Sequence, residues 1–327
     1  MSRAITYAGA RPGRARTGRL SIDRIGDGVL YGLCLLASVL AVVAIAAIVY
    51  QVVHRSGSAI SHFGPGFLAH SIWQPNLGRM GAATFLYGTA VTSVVTLLLA
   101  VPIGVAIALY LSMLAPRRLR NVIGPLVEML AAIPSVILGF WGILVLAPFI
   151  QGHVEPLLHS TLGFLPIFGV AQTTGTGLFI ASLILTIMVV PIIASLSRDL
   201  FLTVPDELKD GATALGATPW EVIRGVVIPS AASGVVAASF LGLGRALGEA
   251  IAVTQVIGAG NYIHASLFQT GDTLASRIAD QFQGAATNLQ IASLFYLGLI
   301  LLAIELVVNI GAQLIERRFD VQRVVGR

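Results

Sequence analysis

The chemistry of this chain starts at Leu241-Gly-Leu-Gly-Arg-Ala-Leu-Gly-Glu249, where a guanidinium and a carboxylate stand four residues apart inside an apolar stretch. An arginine at the centre of a membrane span costs about 2.5–3.5 kcal/mol on insertion scales, so Arg245 is expected to face a bundle interior or a polar cavity. On one continuous helix Glu249 shares that face, about 6 Å further along. The residues alone leave two readings. One is a structural ion pair. The other is an oxyanion site, because a guanidinium offers two parallel charge-assisted hydrogen bonds to a phosphate-like group. The carboxylate neutralises the arginine when no anion is present. It also accepts a hydrogen bond from an oxyanion that keeps a proton at neutral pH and repels one that does not. Gly244 and Gly248 form a G-x-x-x-G step, whose expected role is close helix packing.

The elements that must carry this pair are membrane helices. Hydrophobic residues make up 56% and charged residues 11% of 327 positions, against roughly 25% charged in a soluble domain. Six apolar stretches reach the length of about 20 residues that a span needs. They run over 29–53, 84–114, 122–150, 175–196, 231–259 and 289–315. Lipid offers no partner to a bare peptide group, so all six are helices. Pro102 and Pro134 lie inside the second and third, where kinks or short breaks are expected. Pro134 and Ser135 are a candidate hinge, with an ordinary proline kink the simpler expectation.

Basic residues set the orientation. Arg3, Arg11, Arg14, Arg16, Arg19 and Arg24 precede the first span, and Arg117, Arg118 and Arg120 lie between the second and third. Arg198, Lys209 and Arg224 follow the fourth, and Arg317, Arg318, Arg323 and Arg327 follow the sixth. The other side holds only Arg55, Arg79 and Arg277. The positive-inside rule then puts both termini in the cytoplasm, and the net charge of +5 needs no nucleic acid to explain it. The first apolar run exceeds the core of a cleaved signal peptide. Cys34 is the only cysteine, so no internal disulfide is expected. No residue cluster has metal-ligand spacing, and no arrangement suggests a catalytic nucleophile.

Residues 197–229 interrupt the apolar pattern on the same side. Thr203-Val-Pro-Asp206 reads as a helix cap followed by an acid. Val204, Leu208, Ala212 and Leu215 recur at helical spacing, giving a short amphipathic helix. Gly216 suits a left-handed helix end. Thr218-Pro-Trp-Glu221 is a second start, a capping box with proline at the first position, and Pro229 is expected to stop that helix. The acids of the first helix disfavour an anionic headgroup surface, and the small residues Gly211, Ala212, Ala214 and Gly216 suit close approach by another protein. Lys209 is the only lysine and no G-x-x-x-x-G-K-[ST] loop exists, so ATP hydrolysis by a P-loop is excluded.

Asp210-Gly-Ala-x-x-x-Gly216, nine residues, then Val226-x-Ile228-Pro229 resembles the EAA loop of ABC importer permeases, which reads Glu-Ala-Ala, three residues, Gly, nine residues, Ile-x-Leu-Pro. The departures are mild and keep the spacing. The resemblance implies a coupling helix that inserts into a groove on an ATPase subunit, through Asp206, Glu207, Asp210, Gly211, Ala212 and Gly216. Three further blocks are similar to the PstC-type family of phosphate-importer permeases. They are Gly242-Leu-Gly-Arg-Ala-Leu-Gly-Glu-Ala-Ile-Ala-Val-Thr-Gln-Val-Ile-Gly258, Glu128-Met-Leu-Ala-Ala-Ile-Pro-Ser-Val-Ile-Leu-Gly-Phe-Trp-Gly142 and Tyr87-Gly-Thr-Ala-Val-Thr-Ser93. The likeness covers residues 60–315. It implies that Arg245 and Glu249 lie near a translocation path. It also implies a homologous second permease subunit, an ATPase dimer that binds the ATP, and an external phosphate-binding protein.

The expectation is an all-α, polytopic protein of the bacterial inner membrane, similar to a type I ABC importer permease. Basic tails at 1–28 and 316–327 flank a permease domain over 29–315. It is expected to act as a non-enzymatic subunit of an ATP-driven phosphate importer, with no cofactor or metal of its own and lipid as its solvent. The alternatives are an ABC permease for sulfate, molybdate or another anion, and a secondary transporter in which Glu249 or Glu305 carries protons.

Overall fold

The computed structural model describes residues 17–170 and 175–319, and among them the regular secondary structure is helix, with one isolated bridge between Gln74 and Arg79. The basic tail before Thr17 and the tail after Phe319 lie outside the described residues. Six helices are long and apolar enough to cross a membrane. Residues up to Gln51 form one compact unit and residues from Val52 a second. In the first unit, helix α1 (Thr17–Phe63) begins, and every residue from Gly26 to Tyr50 is exposed. Over 29–50 its side chains are apolar on all sides, which is the composition of a helix solvated by lipid.

The second unit is built on two long helices, α2 (Ala83–Leu109) and α7 (Leu178–Leu202). Their contact is set by small and hydroxyl side chains. Gly104 lies so close to Ile193 that a Cβ there would stand 2.8 Å from its methyl. Thr89, Thr92, Ser182 and Thr186 are buried and donate back to carbonyls of their own helices. Thr96 donates across the interface to Ser182 O at 3.2 Å. In lipid the apolar effect does not drive helices together, so close backbone approach and such hydrogen bonds do. Pro102 and Pro191 sit within helices that continue through them.

The third span differs from the expected 122–150. Residues Arg117–Ala131 form a separate helix, α3, and the chain then turns through Ala132–Pro134 before α4 (Ser135–Trp141). The spanning stretch is 135–162 and includes α5 (Ala147–Phe149) and α6 (Glu155–Leu162). The cause is charge and length. α3 carries Arg117, Arg118, Arg120 and Glu128 and, at about 1.5 Å per residue, falls short of the hydrocarbon core. It packs on α7 instead, where Arg198 Nη2 lies 3.1 Å from Glu128 Oε1.

The polar interruption forms α8 (Asp206–Ala214) and α9 (Pro219–Val222). Pro229 does not end the second helix. A π turn over Ile223–Val227 leads into α10 (Ile228–Gly248), so helix runs unbroken from Pro219 to Gly248. The three other π turns, at 110–114, 142–146 and 150–154, also stand two residues before a proline, namely Pro116, Pro148 and Pro156. A proline lacks the N–H for the carbonyl four residues back and its ring clashes there. The wider i→i+5 turn, seen where Ile228 N–H reaches Ile223 O, relieves that crowding. The chain continues through α11 (Ile251–Val256), α12 (Leu274–Gln281) and α13 (Asn288–Phe319).

Candidate functional site

Arg245 lies on an exposed stripe of α10 formed by Leu241, Arg245 and Gly248, in the last turn of a helix long and apolar enough to span. α10 is held on α7 by Gly242 against Val189 and by Gly234 against Leu200, both contacts too close for a Cβ. Arg245, beyond these contacts toward the end of α10, is exposed.

Glu249 is not where a continuous helix would put it. α10 stops at Gly248, and Glu249 is extended, with φ −72° and ψ 113°. Its Oε1 accepts from Ala252 N–H at 3.3 Å, at the start of α11. No ion pair joins it to Arg245 among the described residues. The carboxylate satisfies an N–H that the broken helix would otherwise leave bare, which is favourable at a helix N-terminus. The expected shared face of Arg245 and Glu249 is thus overturned. Nor is Gly244–Gly248 a uniformly close step: a Cβ at Gly244 meets nothing within 4 Å, while one at Gly248 would lie 3.3 Å from Glu305 Oε1.

A second break faces the first. Pro134 has φ −58° and ψ 134° and precedes α4, so the feature at Pro134–Ser135 is an interruption and not the simple kink expected. α4 packs on α11 so tightly that a Cβ on Gly139 would collide with Gln255 Oε1. Two interrupted helices therefore meet through their short segments, a construction that exposes backbone polar groups only where protein or a cavity receives them.

In the polar segment over 197–229, Gly216 has φ +90°, and Ala217 N–H reaches Ala212 O at 3.1 Å while Gly216 N–H reaches Thr213 O at 2.9 Å. This closes α8 with the paired bonds of a Schellman motif. Thr218 and Glu221 form the expected capping box, with Thr218 N–H donating to Glu221 Oε2 at 2.7 Å. Thr203 does not cap α8. Its hydroxyl donates back to Leu200 O, and Pro205 stands at the cap because its fixed φ suits the entry. Asp206, Glu207, Asp210, Gly211 and Gly216 are exposed, and Ala212 is half-buried against Phe201 and Val222. The apolar series splits. Val204 is buried, but Leu208, Leu215 and Trp220 stay open, Leu215 at 92%. Of these three exposed apolar groups, Leu208 and Leu215 belong to the helical series and Trp220 does not.

The opposite end holds a pair the sequence did not single out. Asp272 and Arg277 are both 2% exposed, with Arg277 Nε 2.8 Å from Asp272 Oδ2. Thr273 N–H and the Ser276 hydroxyl donate to Asp272 Oδ1. The guanidinium donates to Asn261 and sits 4.7 Å above the Phe85 ring. Leu274 N–H reaches Thr89 Oγ1 at 2.9 Å, and Gly88 lies against Asp272 O with no room for a Cβ. Burial pushes the Asp272 carboxyl up to about 6, against the lowering pull of Arg277, Ser276 and Thr273. Arg277, which the sequence placed only among the few basic residues of the other side, is part of a buried lock between α12 and α2.

The described chain has clear relatives. It is 41% identical over 298 residues to the phosphate transport system permease protein PstC of Mesorhizobium japonicum, covering 90% of this chain and 91% of that protein. It is 43% identical over 282 residues to the protein of that name from Haemophilus influenzae, covering 85% and 89%. Its fold is similar to a chain in the crystal structure of a bacterial alginate ABC transporter, with a TM-score of 0.59 at 18% identity over 92% of this chain and 98% of that one. The profile of binding-protein-dependent transport system inner membrane components matches residues 100–321, a span that takes in both broken helices, the polar segment with α8 and α9, and Arg245. With that match and those relatives, the chain belongs to the family of binding-protein-dependent transport system inner membrane components, as a multi-pass protein of the inner membrane.

Proposed function

We propose that this chain is the permease subunit that passes inorganic phosphate inward in an ATP-driven importer. The observation that carries the reading is the exposed Arg245 within a spanning helix, in a chain 41% identical to a phosphate transport system permease. A bare guanidinium in a span must meet water, a partner or an anion, since lipid contact is costly. A phosphate oxyanion matches its two-pronged donor geometry.

ATP binds and is hydrolysed on a partner dimer, which grips Leu208, Leu215, Trp220 and the acids Asp206, Glu207 and Asp210. The unbroken helix from Pro219 to Gly248 joins that grip to Arg245. A displacement at Pro219 is therefore felt about 39 Å away, at about 1.5 Å per residue. The interruptions at Pro134 and at Glu249–Ala250 absorb the change of backbone angles, so that the far ends of two helices tilt while their bodies stay packed. A second, homologous permease subunit covers the open face of α10, and an external binding protein delivers the anion. Both termini and the coupling segment lie in the cytoplasm, as the arginine distribution favours.

The test is uptake of labelled phosphate by proteoliposomes holding the complete transporter and its binding protein. Uptake should require ATP on the side of α8 and should fall by at least about a hundred-fold in Arg245→Gln, a charge-assisted contact made in the anion's path. Uptake by this chain without an ATPase, driven by a proton gradient, would refute the proposal in favour of a secondary transporter. Equal uptake of sulfate, with no competition from phosphate, would refute the choice of anion.

A further inference from the structure

We propose that Glu305, and not Glu249, is the acidic partner of Arg245 on the anion path. The carboxylate holds the guanidinium when the path is empty and competes with the bound anion so that the anion can leave. The inference rests on the reading of Arg245 as an anion contact. Glu305 lies within α13, which packs along α10, and it is half-buried inside a spanning helix. Its Oε1 would stand 3.3 Å from a Cβ on Gly248, so the carboxylate lies against the backbone at the end of α10. Gly248 is three residues from Arg245 on the same exposed stripe, about 4.5 Å along the axis. Arginine and carboxylate therefore border one open face from two helices. No ion pair occupies either among the described residues.

Two features make Glu305 the better partner. Glu249 is committed, because its Oε1 receives the Ala252 N–H that the helix break exposes. Glu305 stands instead beside the C-terminal end of α10, where the helix dipole disfavours a carboxylate. A carboxylate held in that place is drawn toward a mobile cation within reach, and Arg245 is the cation on that stripe. Gly248 gives it access, since a side chain there would close the gap between the two.

An anion on Arg245 must displace this carboxylate, which weakens retention and speeds release. Equilibrium dialysis of the intact, detergent-solubilised transporter against labelled inorganic phosphate reads the effect directly. Glu305→Gln should retain phosphate about ten-fold more tightly, because the anion no longer has to displace a carboxylate from Arg245, an attraction worth about that factor at a dielectric between that of protein and water. The same variant should turn over more slowly in ATP-driven uptake. Glu305→Asp should restore wild-type affinity to within about two-fold, because the charge is kept. Gly248→Ala, which crowds the carboxylate at 3.3 Å, should shift affinity in the direction of Glu305→Gln by a smaller factor, and it serves if Glu305→Gln does not assemble. In the Arg245→Gln background, Glu305→Gln should change nothing. Unchanged or weaker phosphate retention in both Glu305→Gln and Gly248→Ala would overturn the proposal, as would a gain that persists without Arg245. A wild-type transporter that neither binds nor imports phosphate would instead overturn the underlying assignment of Arg245.

Discussion

Replacing Arg277 with methionine separates the charge of the buried lock from its packing. Asp272 has a pKa of about 6 in the folded chain against 3.8 as the ordinary value. The folded value is the higher one, so this group favours folding most below pH 3.8, and that support is lost as pH rises through 6. Above pH 6 the ionised, buried carboxylate opposes folding by about 3 kcal/mol, at about 1.4 kcal/mol for each pH unit that separates the two values. Arg277 is what keeps the figure that small. Without it the carboxyl takes up a proton and holds it, which costs about 1.4 kcal/mol for every pH unit above the unfolded value. The penalty of Arg277→Met relative to wild type is then near zero at pH 5, about 1.4 kcal/mol at pH 7 and about 2.7 kcal/mol at pH 8. Loss of the Phe85 and Asn261 contacts adds a part that does not vary with pH. Thermal unfolding in detergent, followed by tryptophan fluorescence, reads this well, because Trp73 packs edge-on to Phe85 at 5.2 Å. At about 2 °C per kcal/mol for a chain of this size, the gap between variant and wild type should widen by about 5 °C from pH 5 to pH 8. The double variant Asp272→Asn/Arg277→Met should lose this pH dependence. A gap of equal size at pH 5 and pH 8 would refute the electrostatic account of the lock.

Three further outcomes follow from the packing. Gly88→Ala drives a methyl into Asp272 O, a collision that neither backbone can yield to, and should lower stability by about 3 kcal/mol or prevent assembly, whereas Gly244→Ala, with open space around it, should be neutral. Gly216→Ala forces a left-handed conformation on an L-residue for about 1 kcal/mol and should loosen the turn between α8 and α9, seen as faster hydrogen exchange at Ala217. Leu215→Glu changes a residue with no packing partner in this chain, so the melting temperature should stay within about 1 °C while binding of the ATPase subunit falls at least about ten-fold.

Membrane class, helix count and the two short helices of the polar segment were legible because each follows from local chemistry. Lipid forbids unpaired backbone, so apolar length alone announces a span. The box at Thr218–Glu221 and the turn at Gly216 depend on residues within a few positions of each other. Helix boundaries were less legible. Pro134 and Pro229 look alike in the sequence, yet the chain breaks at the first and passes through the second. What separates them is a π turn before Pro229 and a polar, arginine-bearing segment before Pro134 that binds Arg198 on another helix. The apolar face of α8 was half legible: periodicity found Leu208 and Leu215 but could not tell that the bundle reaches only Val204 and Ala212.

By itself the sequence determined that Arg245 would lie in an apolar span where lipid contact is costly, because the cost of burying a lone charge in hydrocarbon is a property of the residue. Which carboxylate could answer that charge was decided only by the tertiary structure. A four-residue spacing pairs two side chains only while the helix between them persists, and here it ends at Gly248. Glu249 then turns to α11, and Glu305, far away in the chain, comes to the open face because α13 packs on α10. Asp272 and Arg277 likewise acquire their meaning from burial against α2, which no spacing records.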